Sequence, residues 1–449
     1  MMVGEMRNIK NIILTLVIMI GIICVFSLSE SSIGRAQTGP AFIRQMPNTP
    51  AANIELSLTN PQSLQIILSR SELINTFDTS QFDPASPDPS GITFIPPSNT
   101  LLISDSEVNE TAIFEGVNLF EVTLSGSLVN TFSTISFSNE PTGLDYNPDN
   151  GHLFYSDDDA DRIFEAAPGD DGILNTPDDI ITSFDTTLFG SHDPEGVAYD
   201  SWNGYLFIAD GVSGALYQLI PGVNGVYDGV PPEGDDQVVH FDTTELGLVD
   251  IEDVAFNIDN GHLNIISRGL SKNIMIEATT AGELINAIDI SAANAIHPDG
   301  ITFAPSNLDP AKKSVYIADR GIDNDSDPNE NDGKIYEMSL PAITEGNHTP
   351  EVSTTPDQRI KFGEVVTLGG TVSDDGIPDP PGAVDTFWAK VKGPGEVFFD
   401  NVANLNTTAT FSRTGIYVLR LFASDGELTK FDDMTVTVYG EFYLPLISK

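Results

Sequence analysis

The chain has 449 residues, with 66 Asp and Glu against 20 Lys and Arg and a formal net charge of −46. A surface of that sign repels nucleic-acid phosphate and anionic lipid, which excludes nucleic acid as a partner, and it attracts divalent cations or simply solubilises the protein. Cys24 is the single cysteine, so no intrachain disulfide can form.

The first 36 residues read as an export signal or an N-terminal anchor. Arg7 and Lys10 precede an apolar run from Ile12 to Leu28, and Gly34-Arg35-Ala36 offers small residues for cleavage before Gln37. The run is also close to the short limit for a membrane span, so an uncleaved anchor is the one membrane contact the sequence allows. Ile22-Ile23 before Cys24 lacks the small residue of a lipoprotein signal. A mature chain cleaved there is secreted or at the cell surface and has no thiol, so its rigidity must come from elsewhere; repeat closure and bound metal are the candidates.

From about residue 41 to 341 the chain repeats one pattern five times. An acidic or histidine start, then Pro-x-Gly or a variant, opens an apolar strand; a turn follows, and then a second strand ending in Ser/Ala-Asp or Ser-Arg. The marker positions are Gly91, Gly143, Gly196, Asp253 and Gly300, at steps of 52, 53, 57 and 47 residues. Two further alternating strands complete each unit, and a strand-rich repeat of this length is the signature of a β-propeller blade. Asn150-Gly151, Asn203-Gly204 and Asn260-Gly261 predict tight hairpins with positive φ at both turn residues. The last unit ends one strand short at Gly333–Pro341, while Leu64–Ser80 mirrors the third and fourth strands of a unit. An N-terminal strand would therefore close the ring. Five blades are visible, and a sixth would need degenerate strands in residues 41–62.

The text PEGVAYD…GYLFIADG (Pro194 to Gly211) resembles NHL-repeat and gluconolactonase-like propellers of the TolB-type six-bladed class. The resemblance spans about Leu64 to Pro341 and implies the fold. That class contains binding scaffolds, lactonases and esterases, so the activity stays open, and its six blades compete with the five repeats.

After a linker at 342–349, residues 350–440 carry short alternating strands such as Tyr417, Leu419 and Leu421, which predict an immunoglobulin-like β-sandwich. Ser373-Asp374-Asp375-Gly376, Trp388, Gly393-Pro394-Gly395, Gly415-x-Tyr417 and Ala423-Ser424-Asp425-Gly426 resemble PKD-type domains of exported bacterial proteins. That likeness implies a core anchor in Trp388, a tyrosine corner at Tyr417, and a spacer or adhesion module. The tail at 441–449, EFYLPLISK, is a sorting or docking peptide or a strand packed on the sandwich. The fold class is thus all-β, a propeller followed by a sandwich.

Candidate chemistry lies where the repeats align. The residues before the markers are Ser90, Thr142, Glu195, Glu252 and Asp299. Inner strands of a propeller begin at one mouth of the central channel, so Glu195, Glu252 and Asp299 are expected to converge there with nothing basic among them. Like charges at close range need a proton or a cation, and oxygen donors suit calcium; the alternative is that they cap strand starts and face water. A second calcium candidate is the loop with Asp323, Asp325, Asp327 and Asn329, whose ligands two apart lead to Gly333 without EF-hand spacing. Third are the Gly-rich insertions with Asp170, Asp171, Asp178 and Asp179, against which a plain hairpin is weighed. Asp157, Asp158, Asp159 and Asp161 add carboxylate beside the second blade.

G-x-S-x-G, H-E-x-x-H, P-loop and Rossmann signatures are absent from the sequence. His152 and His262 follow equivalent Asn-Gly turns and read as hairpin residues. His297 falls in the ring beside Asp299 and is the candidate general base if a calcium-polarised lactone or ester is the substrate. Two functions follow from these residues. One is an exported binding or scaffold protein, calcium-stabilised and not an enzyme, for an extracellular ligand or protein that the sequence does not name. The other is a calcium-dependent lactonase- or esterase-like hydrolase at the channel mouth.

Overall fold

The computed structural model describes residues 69–108, 113–248, 250–269, 272–322, 329–379 and 381–440. The export segment, residues 41–62, Asp323, Asp325, Asp327 and the tail at 441–449 lie outside them. All the described residues belong to one compact unit, Ala51–Lys449.

Five sheets carry the repeats in sequence order. Blade 1 is Pro89–Ile95, Thr100–Asp105, Leu119–Thr123 and Leu128–Phe132; blade 2 is Pro141–Tyr146, Leu153–Asp157, Arg162–Ala167 and Ile180–Asp185. Blade 3 is Pro194–Asp200, Tyr205–Asp210, Ala215–Ile220 and Gln237–Asp242; blade 4 is Ile251–Asn257, His262–Ser267, Ile274–Ala278 and Leu284–Asp289. Blade 5 is Pro298–Pro305, Lys313–Asp319 and Lys334–Ser339, and Leu73–Asp78 supplies its outermost strand, antiparallel to Lys334–Ser339. Just before it, Ser69–Arg70 pairs in parallel with Leu284–Asp289 of blade 4, so one N-terminal segment fastens two neighbouring blades.

Blade 5 packs directly on blade 1. Ala304, Tyr316, Ala318 and Ile335 share a buried cluster with Ile92, Leu101, Ile103 and Phe120. The ring of described residues therefore closes with five blades, not the six of the TolB-type class. Closure by a strand from the other end of the repeat removes the open sheet edge.

The markers are small because the inner strands approach closely. A Cβ at Gly143 would stand 2.5 Å from Glu195 O and 2.7 Å from Ser156 Oγ. Gly143→Ala is expected to cost about 1–3 kcal/mol through overpacking, read as a shifted urea midpoint. In blade 4 the marker is Asp253, whose carboxylate accepts from Ile301 N and Val254 N, both at 2.8 Å, and so ties two inner strands together.

The hairpins differ from expectation. Gly151, Gly204 and Gly261 have φ of +80°, +68° and +72°, but the asparagines before them are not among the positive-φ residues. Asn147 N donates to His152 O and Gly151 N to Asn147 O, both at 2.9 Å, which makes a longer turn with only its last residue left-handed. Asn150 and Asn260 serve instead as side-chain acceptors, from His152 N and His262 N.

Beyond the repeats, Gln358–Lys361, Thr429–Tyr439, Gly415–Ser424 and Asp385–Lys392 form one sheet, and Val366–Leu368, Thr407–Phe411 and Val397–Phe399 another. Trp388, Tyr417, Leu419, Leu421 and Val436 lie in the core they share with Leu368 and Phe411. Trp388 Nε1 donates to Leu405 O at 3.1 Å, and the Tyr417 hydroxyl donates to Arg413 O at 2.9 Å, four residues upstream. This part meets the outer edge of blade 4: Asn286 Nδ2 donates to Glu427 O at 2.8 Å, and Phe431 packs against the blade-4 core.

Candidate metal centre

Each inner strand opens with an irregular register against its neighbour, between Pro89 and Ile92, Pro141 and Leu144, Pro194 and Val197, Ile251 and Asp253, and Pro298 and Gly300. Bulges re-aim side chains. The residues they carry are Ser90, Thr142, Glu195, Glu252 and Asp299, the five ring positions expected from the alignment.

The repeated aspartate that ends the second strand has a structural task. Asp105 accepts from Ser86 Oγ at 2.7 Å, Asp157 from Ser138 Oγ at 2.7 Å and Asp210 from Ser191 Oγ at 2.8 Å. Asp319 accepts from His297 N at 2.8 Å. These carboxylates hold the loop that feeds the next inner strand, and so fix where the ring residues start.

The ring is not free of basic groups. Arg268 and Arg320 follow the second strands of blades 4 and 5. Arg268 Nε lies 2.7 Å from Glu252 Oε1, an ion pair without hydrogen-bond alignment, and hydrogen-bonds Asp250 at 3.1 Å; its Nη2 is 3.8 Å from Glu195. Arg320 bonds Glu107 and lies 3.7 Å from Asp299 and 3.9 Å from Asp88. Glu252 and Asp299 thus sit with arginines. Glu195 is brought together with Asp158 and Asp193 instead, with one carboxylate oxygen from each lying within 4.8 Å of the others. Burial raises Glu195 well above the usual carboxylate range, and Glu252, Asp158 and Asp193 add to it against Arg268. Asp158 is pushed to about 7 by burial, then by Asp193 and Asp159, and its buried Oδ1 has no hydrogen-bond partner.

Buried carboxyl groups with raised pKa values continue around the mouth. Burial carries Glu140 to about 11, with Asp158 and Asp159 contributing. Asp88 rises to about 10 through burial and Asp105, opposed by Arg320. Asp299 reaches about 6 through burial, opposed by Arg320 and Arg268. A calcium ion among Asp158, Asp193 and Glu195 suits this set: the donors are all oxygen, their charge exceeds that of the one arginine beside them, and one buried oxygen is unsatisfied.

The other candidates fall elsewhere. Asn329 is exposed, and the aspartates before it lie outside the described residues. Asp179 accepts from Asn175 N at 2.7 Å and Asp178 from Asp171 N at 3.3 Å, as suits a loop brace. In the matching blade-3 insertion, Asp228, Asp235 and Asp236 also cluster, but Asp236 already accepts from Gly222, Asp228 and Gly229 amides. His152 and His262 bond Glu165 and Glu277 at 2.6 and 2.7 Å on their own hairpins. His297 Nδ1 is 2.7 Å from Gly321 O, a carbonyl that can only accept, so the ring proton sits on Nδ1. Sequence alignment of the first strands missed Arg268, Arg320 and Glu107. The first two were signalled by Ser-Arg-Gly and Asp-Arg-Gly at equivalent places in units 4 and 5.

No family model matches the chain. Solved structures that resemble it include a luciferin-regenerating enzyme, 11% identical over 60% of this chain and 95% of that one, with a TM-score of 0.37. The periplasmic gluconolactonase of Pseudomonas aeruginosa is 13% identical over 57% and 89%, at 0.30. The PKD domain of human KIAA0319 is 19% identical over 24% and 98%, at 0.18. Likenesses this distant say nothing of activity; the all-β propeller rests on the strand pairing itself. Among the described residues, no helix is long and apolar enough to cross a membrane.

Proposed function

We propose that the chain is an exported or cell-surface binding protein: a calcium-stabilised propeller of the NHL and gluconolactonase-like kind, followed by a PKD-type spacer. The division of the ring carboxylates carries this reading. Glu195 joins a three-carboxylate group, while Glu252 and Asp299 are neutralised by Arg268 and Arg320. A hydrolytic metal needs an open coordination position beside a base. Here the base candidate, His297, is on blade 5, whereas the three carboxylates are on blades 2 and 3. The Trp388 anchor and the Tyr417–Arg413 bond support the PKD-type reading of the sandwich, with 342–349 as its linker.

One observation favours a calcium-dependent lactonase or esterase. With its proton held on Nδ1, His297 keeps Nε2 as a base near Asp299. A panel of lactones and aryl esters, assayed with and without calcium, separates the two. The binding protein shows no turnover above buffer in either condition. Calcium-dependent turnover that His297→Ala abolishes would establish the hydrolase instead.

A further inference from the structure

The inner strands end at the opposite mouth, and there the repeat carries a second ring. Three residues after each marker stand Phe94, Tyr146, Tyr199, Phe256 and Phe303, one aromatic in every unit. All five line a cavity of about 490 Å³ at the ends of the inner strands. Tyr199 is buried, and the other four are half-buried, resting on their own blade cores. Trp202, which is 58% exposed, meets one of them, Phe256, edge-on at 6.1 Å.

Several polar groups of this cavity's wall are engaged within the protein. Asp145 accepts from Tyr199 N at 2.7 Å and from Thr93 Oγ1 and Tyr146 N, both at 2.9 Å. Burial lifts this carboxyl to about 6 against the three donors, so above that pH it is a negative charge in the wall. The Tyr199 hydroxyl is bonded to Asp149, and Lys313 Nζ is paired with Asp259 at 2.6 Å. Five aromatic side chains line the same wall, and aromatic faces attract cations. One already does so: Lys313 Nζ lies 5.9 Å from the Phe303 centroid.

We propose that this second mouth binds an organic cation with an apolar body, of the quaternary-ammonium class. Such a ligand needs no hydrogen bonds, gains from the ring faces and the Asp145 charge, and is drawn in by a protein of net charge −46. The volume lies within the usual range for small-molecule sites. The proposal does not depend on the calcium centre.

The probes are choline and its neutral isostere 3,3-dimethylbutan-1-ol, titrated by calorimetry with calcium saturating so that the acidic mouth is neutralised. Choline is expected to bind saturably and about tenfold more tightly than the isostere. Phe256→Leu, which keeps the packing but removes a ring face, should weaken choline about two- to fivefold. Equal affinity for the two probes, tighter binding of maltose than of choline, or no saturable choline binding up to about 10 mM would each overturn the proposal. So would unchanged choline affinity in folded Phe256→Leu. If that variant does not fold, the comparison of the probes on the unaltered protein still decides.

Discussion

Arg268→Met is expected to lower stability by about 3 kcal/mol at pH 8 and by clearly less at pH 5. Glu252 is 2% exposed; burial, then Asp299 and Asp250, raise its pKa, and Arg268 at 2.7 Å opposes the rise. Methionine keeps the stem but leaves a buried carboxylate without its cation. Glu252 already titrates above its unfolded value, and losing the arginine raises it more. Its favourable, protonated form is available below the unfolded pKa and is lost as pH rises. The penalty must therefore grow from pH 5 to pH 8. Urea midpoints at the two pH values measure it. A loss that is small and equal at both would reduce Arg268 to an ordinary surface residue.

Without divalent cation, the melting temperature should fall as pH rises from 5 to 8. Asp105 and Asp299 are lifted to about 6 and Asp88 to about 10, chiefly by burial. Raised carboxylates stabilise the fold fully below their unfolded pKa, near 4, and lose that contribution as pH climbs through 6 toward 10. Carboxylates shifted the other way, such as Asp178 and Asp375, are outside this buried set. Calcium works against the fall, because it competes with protons for Asp158, Asp193 and Glu195. At one hundred times its Kd it adds about 2.7 kcal/mol. The gap between melting curves with calcium and with EDTA should widen with pH. A gap that is absent, or that narrows, contradicts cation binding at the mouth.

Periodicity made the blades legible. The marker glycines, the ring positions and the strand that completes blade 5 follow from counting, because a closed repeat forces equivalent residues to equivalent places. The same counting did not reach Arg268 and Arg320, whose side chains come from the second strand and cross to the first strand's ring. It also made the repeated Asp105, Asp157, Asp210 and Asp319 look like a terminal motif; their loop-holding bonds appear only when residues 19 apart in sequence, such as Ser86 and Asp105, meet in space. The aromatic ring was present in every copy, but its meaning depended on knowing that inner strands end at a common cavity. Asn-Gly pairs suggested two-residue turns, whereas each strand pair stops earlier and the longer loop needs only the glycine left-handed.

Calcium titration of the protein against the double variant Asp158→Asn/Glu195→Gln tests the central claim most directly. The wild-type protein should take up one calcium at the mouth that the folded double variant does not, a loss visible in calorimetry and in metal content after dialysis. The blade-3 cluster of Asp228, Asp235 and Asp236 is left intact in both proteins and serves as the internal comparison. Equal calcium uptake by the two proteins would contradict a metal centre formed by Asp158, Asp193 and Glu195.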